Sequence, residues 1–114
     1  MEAPIHSVVE TVIFTGQLGR LGLSETERAH IYDIYARSPD HGSVLRRTGG
    51  LRKGRVAKEG EGKSGRYRVF SVFFNTDHPV FLLWIIDKSR DATLTAAQEA
   101  AFKKLTAQLK QECR

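Results

Sequence analysis

The sequence holds a single cysteine, Cys113, so it has no disulfide framework and no cluster of reactive thiols. Its four histidines (His6, His30, His41 and His78) are scattered without ligand spacing, and no structural metal and no cofactor are expected. The longest apolar run, Val80 to Ile86, is far too short to cross a bilayer, so no membrane partner is expected. The opening MEAPIHSVVE lacks the basic start and apolar stretch of a secretory signal, and a cytoplasmic protein is the expectation. No Ser-His-Asp hydrolase pattern is present. GEGKSG resembles the end of a Walker motif, but it lies between strands and lacks the first glycine at the right distance. No internal repeat or low-complexity segment appears. With 114 residues, 40% apolar and 27% charged, the chain fits one soluble domain, 1–114, with a modest core.

What the sequence has in excess is positive charge, and that charge sits in one place. From Arg46 to Arg68 (RRTGGLRKGRVAKEGEGKSGRYR) nine Lys/Arg face two acids, Glu59 and Glu61, a net of +7. The whole chain is only +5, so the remaining residues sum to −2. Cations concentrated on strands beside glycine turns make an anion site, and nucleic acid is the commonest polyanion. The plainer reading is a solvated basic hairpin that keeps the protein soluble.

Along the chain, Ile5 to Val9 reads as a short strand. A helical stretch over Glu10 to Leu18 follows, with Val12, Ile13 and Leu18 on a shared face, interrupted by Gly16 and Gly19. Ser24-Glu25-Thr26-Glu27 is a capping box, and Ile31, Ile34 and Tyr35 continue a helix that SPDHG stops near Arg37. Ser43 to Arg46 is a candidate short strand. Leu51 to Ala57 is the first basic strand, with Lys53 and Arg55 on one face and Arg52 on the other. Arg66 to Phe74 is the next, with Arg66, Arg68, Phe70, Val72 and Phe74 on one parity. Val80 to Ile86, apolar throughout, reads as a central strand buried on both sides. Trp84, Phe70, Phe73, Phe74 and Phe81 are expected in the core. Thr95 with Gln98 opens a last helix with Ala101, Phe102, Leu105 and Leu109 on its apolar face. The expected fold class is α+β: a small antiparallel β-sheet of 3–5 strands, with two N-terminal helices and one C-terminal helix packed on it. With the helices on one face, the basic residues would line an open opposite face.

At TGGLRKGRV, GKSGRYRV, LLWIIDKS and the late LT helix start, the chain resembles the RelE/HigB superfamily of toxins from type II toxin–antitoxin modules, closest to the HigB-like branch. The carrying residues are Gly49, Gly50, Leu51, Arg52, Lys53, Arg55 and Val56, then Gly62, Lys63, Gly65, Arg68 and Val69, then Lys88. The resemblance implies a compact RelE-like, microbial-ribonuclease-like fold. It implies a metal-independent, ribosome-dependent endoribonuclease that cuts mRNA in the ribosomal A site, touches rRNA, and inhibits translation. Its implied partner is a cognate antitoxin, often with a helix-turn-helix domain that binds DNA.

Such cleavage is attack of a ribose 2′-OH on the adjacent phosphate. It needs a base, cations for the charge that develops on the phosphate oxygens, and an acid for the leaving 5′-oxygen. Clustered cations lower a lysine's pKa, so a lysine can act as base. On this resemblance Lys53 is the candidate base beside Arg55, Arg68 stabilises the phosphate, and Lys88 closes the site. Lys63 grips the RNA backbone; Arg52, Arg66, Arg46 and Arg47 are candidate RNA contacts; Arg90 is a candidate acid or phosphate contact. The chain departs from the family at Ser71 and Val72, where relatives often carry tyrosines, and at Ile86, where an aromatic often precedes the lysine. Arg66 replaces a usual glycine. Tyr67 is the candidate substitute for the tyrosines, and Asp87 is a candidate partner for Lys88 or Arg68. The alternative reading is a non-cleaving RNA- or ribosome-binding module, or a catalytically weakened toxin, of the same fold. A third is a protein-interaction surface for an acidic antitoxin segment.

Overall fold

The computed structural model describes residues 5–58, 66–89 and 93–113. The order is β1 (Val8–Glu10), α1 (Val12–Leu21), α2 (Glu25–Arg37), β2 (Ser43–Val44), β3 (Arg52–Ala57), β4 (Arg66–Val72), β5 (Val80–Asp87) and α3 (Ala96–Glu112). The five strands form one sheet in the order β1-β5-β4-β3-β2. The α+β class is as expected. All pairings are antiparallel except one: β1 lies parallel to β5, Val8 opposite Val80, so the sheet is mixed. Two helices between β1 and the rest of the sheet supply the crossover that a parallel neighbour requires.

Local chemistry places the helix ends. Ser24 accepts from the Glu27 amide while Glu27 reaches back to the Ser24 amide; Thr95 and Gln98 do the same at α3. Each box satisfies two otherwise orphaned donors, worth about 1 kcal/mol per cap. Helix α1 starts later than the periodicity suggests, because the Thr11 hydroxyl accepts from the Phe14 amide and caps it. Gly22, at φ 70°, ends it in a left-handed turn. The inward face of α1 is Phe14, Gln17 and Leu18, not Val12 and Ile13, which are exposed. Gln17 Nε2 donates to the Ile85 carbonyl at 3.1 Å, tying α1 to the sheet. Two interior glycines cost α1 roughly 1 kcal/mol each against alanine. Burial of Phe14 and Leu18, about 1.5–3 kcal/mol apiece, offsets that.

The sheet is covered on both faces, which corrects the expectation of one open face. Phe14, Leu18, Ile31 and Tyr35 from α1 and α2 pack with Val56, Tyr67, Val69, Val80, Leu82 and Ile85. On the other face Phe102 of α3, with Leu105 and Leu109, packs on Leu51, Phe70, Val72, Leu83 and Ile86. Ala101 is exposed and Thr106 takes the buried place, its hydroxyl donating to the Phe102 carbonyl at 2.7 Å. Trp84 packs against Phe102, ring centroids 5.5 Å apart. The central strand is β4, with β5 between it and β1.

One irregularity sets which way the end of β5 points its side chains. Phe70 pairs with Trp84 and Ser71 with Leu82, so Leu83 is an extra residue on β5. Such a bulge reverses the alternation beyond it. Before it, Val80 and Leu82 face α1 and α2; after it, Ile85 and Asp87 do, while Trp84 and Ile86 face α3.

Candidate functional site

The β3–β4 ladder brings the cations together. Arg55 pairs with Arg68, Ala57 with Arg66 and Lys53 with Phe70. Paired residues share a face, and Phe70 belongs to the α3 side, so Lys53, Arg55, Arg66 and Arg68 all stand on that side. They occupy the end of the face beyond the apolar patch that α3 covers. Val56 and Tyr67, their neighbours, point the other way.

Lys88 joins them through the bulge. Its amide donates to the Arg66 carbonyl at 3.1 Å, extending the ladder one residue past β5. The alternation after Leu83 sends its side chain to the α3 side. There the Arg68 guanidinium, first of all, holds the ammonium below the usual lysine range; desolvation, Arg55, Lys53 and Arg66 add to the effect. Without the bulge Lys88 would point to the face of α1 and α2.

A second basic group lies along the same face. Arg46, Arg47 and Lys103, with Glu99 among them, line an open groove of about 340 Å³ between the β2–β3 loop and α3. Buried Thr48 pins that loop: its hydroxyl donates to the Leu45 carbonyl at 2.7 Å and accepts from the Leu51 amide at 3.1 Å. Arg47 is held at φ 61°, a region uncommon outside glycine. The sequence pointed to Arg46 and Arg47 but not to Lys103, which only the packing of α3 brings there.

Arg52 is not part of either group. It faces the α2 side, and its Nη1 donates to the carbonyls of Asp40 and Gly42 at 3.0 and 3.3 Å. Lys63 and Arg90 lie outside the described residues. Tyr67 is buried on the other face of the sheet, where its hydroxyl donates to Glu27 Oε2 at 2.8 Å. Ser71 and Val72 are buried in the two core layers, and Ile86 is core beneath α3.

Asp87 pairs with neither Lys88 nor Arg68. It takes Lys58 Nζ at 3.0 Å on the α1/α2 side, and its other oxygen accepts from the Ser89 hydroxyl and amide at 2.6 and 3.0 Å. Lys58 in turn lies 5.5 Å from the Tyr67 ring centroid. Sequence alone missed this pair, because its residues are neighbours only through the β3–β4–β5 register. Beside it Glu27, His30, Ile31, Val56 and Tyr67 line a hollow of about 290 Å³. It is on the face opposite the cationic cluster and contains none of its members. Among the described residues no three His, Cys, Asp or Glu side chains stand close enough to hold a metal. No described helix is long and apolar enough to cross a membrane.

The fold and the cluster define a small α+β protein with a cationic cluster at one end of its sheet. Residues 40–114, about two thirds of the chain, match the family described as RelE toxin of the RelE/RelB toxin–antitoxin system. The chain belongs to that family of toxins, and the match spans every member of the cationic cluster.

Proposed function

We propose that this toxin is a ribosome-dependent mRNA endoribonuclease of the HigB-like branch, acting without metal through 2′-OH attack. The observation that carries the reading is the convergence of Lys53, Arg55, Arg68 and Lys88 on one sheet end, with Lys88 the lysine whose proton its neighbours loosen. Lys88 therefore takes the base role that the family resemblance suggests for Lys53. It accepts the 2′-OH proton as the 2′-oxygen attacks phosphorus. Arg68 and Arg55 stabilise the charge on the phosphate oxygens, since guanidinium stays protonated and forks onto two of them. The Lys53 ammonium gives its proton to the departing 5′-oxygen. The products are a 2′,3′-cyclic phosphate and a 5′-hydroxyl.

Arg46, Arg47, Arg66 and Lys63 hold the backbone of the mRNA in the A site and of rRNA. The antitoxin, with a helix-turn-helix domain, silences the toxin until it is removed. The setting is the cytoplasm.

The test is induced expression in bacteria of wild type beside Arg68→Ala and Lys88→Ala, with mRNA 5′ ends mapped. Growth arrest with new in-frame ends, reduced on the order of a hundredfold or more in the variants, supports the reading. Soluble wild type that makes no new ends defeats it. One observation favours a non-cleaving binding module instead: none of Tyr32, Tyr35 and Tyr67 lies on the cationic face. Ribosome binding by wild type without new ends would select that alternative.

A further inference from the structure

We propose that Lys58 is a positioning residue for the cationic site: its ammonium neutralises the Asp87 carboxylate on the α1/α2 side of the sheet and so shields Lys88 from it. The inference rests on the nuclease reading for its consequence in catalysis, while its electrostatic half stands on geometry.

Asp87 is the residue before Lys88, and at the end of β5 the two point to opposite faces. A bare carboxylate that close would favour the protonated form of Lys88 across the sheet and quench the base. The structure shows the carboxylate occupied elsewhere. One oxygen takes Lys58 Nζ, the other takes Ser89 through both its hydroxyl and its amide. The Lys58 and Asp87 side chains are only 16% and 8% exposed. Removing one member of such a pair leaves an uncompensated charge in a poor solvent.

The charged groups on each side are distinct. Around Lys58 stand Asp87, Glu27, His30 and Tyr67. Around Lys88 stand Arg68 and Arg66 from β4 and Arg55 and Lys53 from β3, all positive. Among the described residues the sheet thus separates a carboxylate-bearing network from the cations around Lys88, and Lys58 is the ion that neutralises Asp87 in the first. Without Lys58 the carboxylate's field falls on Lys88 and Arg68, the cations at the same strand end.

The experiment is an NMR titration of lysine side chains in the full chain, comparing wild type with Lys58→Met, Lys58→Arg, Asp87→Asn and the Lys58→Met/Asp87→Asn double variant. The Lys88 midpoint should rise in Lys58→Met and fall back in the double variant. It should stay put in Lys58→Arg, which keeps the cation, and fall in Asp87→Asn, which leaves the Lys58 charge uncompensated. A Lys88 midpoint in Lys58→Met equal to wild type overturns the inference, as does a rise that Asp87→Asn fails to reverse. Should Lys58→Met not fold, Lys58→Gln, which keeps a hydrogen-bond donor for Asp87 without the charge, decides: a Lys88 midpoint equal to wild type overturns the inference. In a ribosome cleavage assay the rising limb of the pH profile should move to higher pH in Lys58→Met. If the midpoints behave as expected but wild type cuts no RNA, the nuclease reading fails and the role of Lys58 stands.

Discussion

Arg55 and Arg68 stand directly opposite each other in the β3–β4 ladder. Like charges at such a position destabilise a sheet by a few tenths to about 1 kcal/mol, with the lower end applying where solvent reaches them. The proposed phosphate site gives the pair its use. Arg55→Thr, with a strand-favouring side chain, should raise the denaturation midpoint in urea while lowering RNA cleavage. A variant less stable than wild type contradicts this.

The pH dependence of cleavage should follow Lys88. Its ammonium is held below the usual lysine range by Arg68 first, then by desolvation, Arg55, Lys53 and Arg66. The neutral amine therefore appears at lower pH than in a free lysine, and the single-turnover rate should climb with pH and level off above that midpoint. Added salt screens exposed charges beyond about 8 Å at physiological strength, so the midpoint should move up as salt is raised. Lys88→Arg cannot deprotonate usefully and should abolish the rising limb. A rate indifferent to pH in wild type removes Lys88 from the base role.

Gly54→Ala should destabilise the protein by about 1–3 kcal/mol through overpacking. An added Cβ would meet His41 Cδ2 at 2.6 Å and the buried Tyr35 hydroxyl at 2.8 Å. The His41 ring also hydrogen-bonds to the Arg55 carbonyl through Nε2 at 2.9 Å, so displacing it disturbs the strand that carries Lys53 and Arg55. Thermal melting checks the first effect and RNA affinity the second. An unchanged melting temperature would mean that the α2–β2 turn yields freely.

Acid should unfold the α2–β4 side early. Burial pushes the Glu27 carboxyl up, but the Ser24 amide and hydroxyl, the Tyr67 hydroxyl and Lys58 together bring it below its ordinary value. Burial likewise pushes Asp87 up, and the bonds from Ser89 and Lys58 bring it down. Both carboxyls are lower in the folded than in the unfolded chain, whose values lie near 4.5 and 3.8. Their stabilisation is present above those values and is lost as pH falls through the folded ones. The urea midpoint should thus drop on acidification below about pH 4.5, and Glu27→Gln should make the drop shallower. A slope unaffected by Glu27→Gln would assign the acid sensitivity to other carboxyls.

Much of the fold was legible because it is local. The Ser24/Glu27 and Thr95/Gln98 boxes are four-residue patterns, and each starts a helix where it stands. Helix α1 is less legible, since its glycines blur the periodicity and Thr11, its cap, acts through one hydroxyl that also donates to the Leu82 carbonyl across the fold. The parallel place of β1 beside β5 depends on a crossover through two helices, which no local pattern encodes.

Residue order alone determined the concentration of charge between Arg46 and Arg68 and its division between faces. Strand side chains alternate with period two, so Lys53 and Arg55 had to oppose Arg52, and Arg66 and Arg68 had to share a side with Phe70. Alternation carried no such information for β5, because Val80 to Ile86 is apolar at every position and any register buries it equally well. Only tertiary packing put the extra residue at Leu83, sending Lys88 to the cations and Asp87 to Lys58. A bulge of one residue reverses every side chain beyond it, so the membership of the site was decided by how β5 fits against β4.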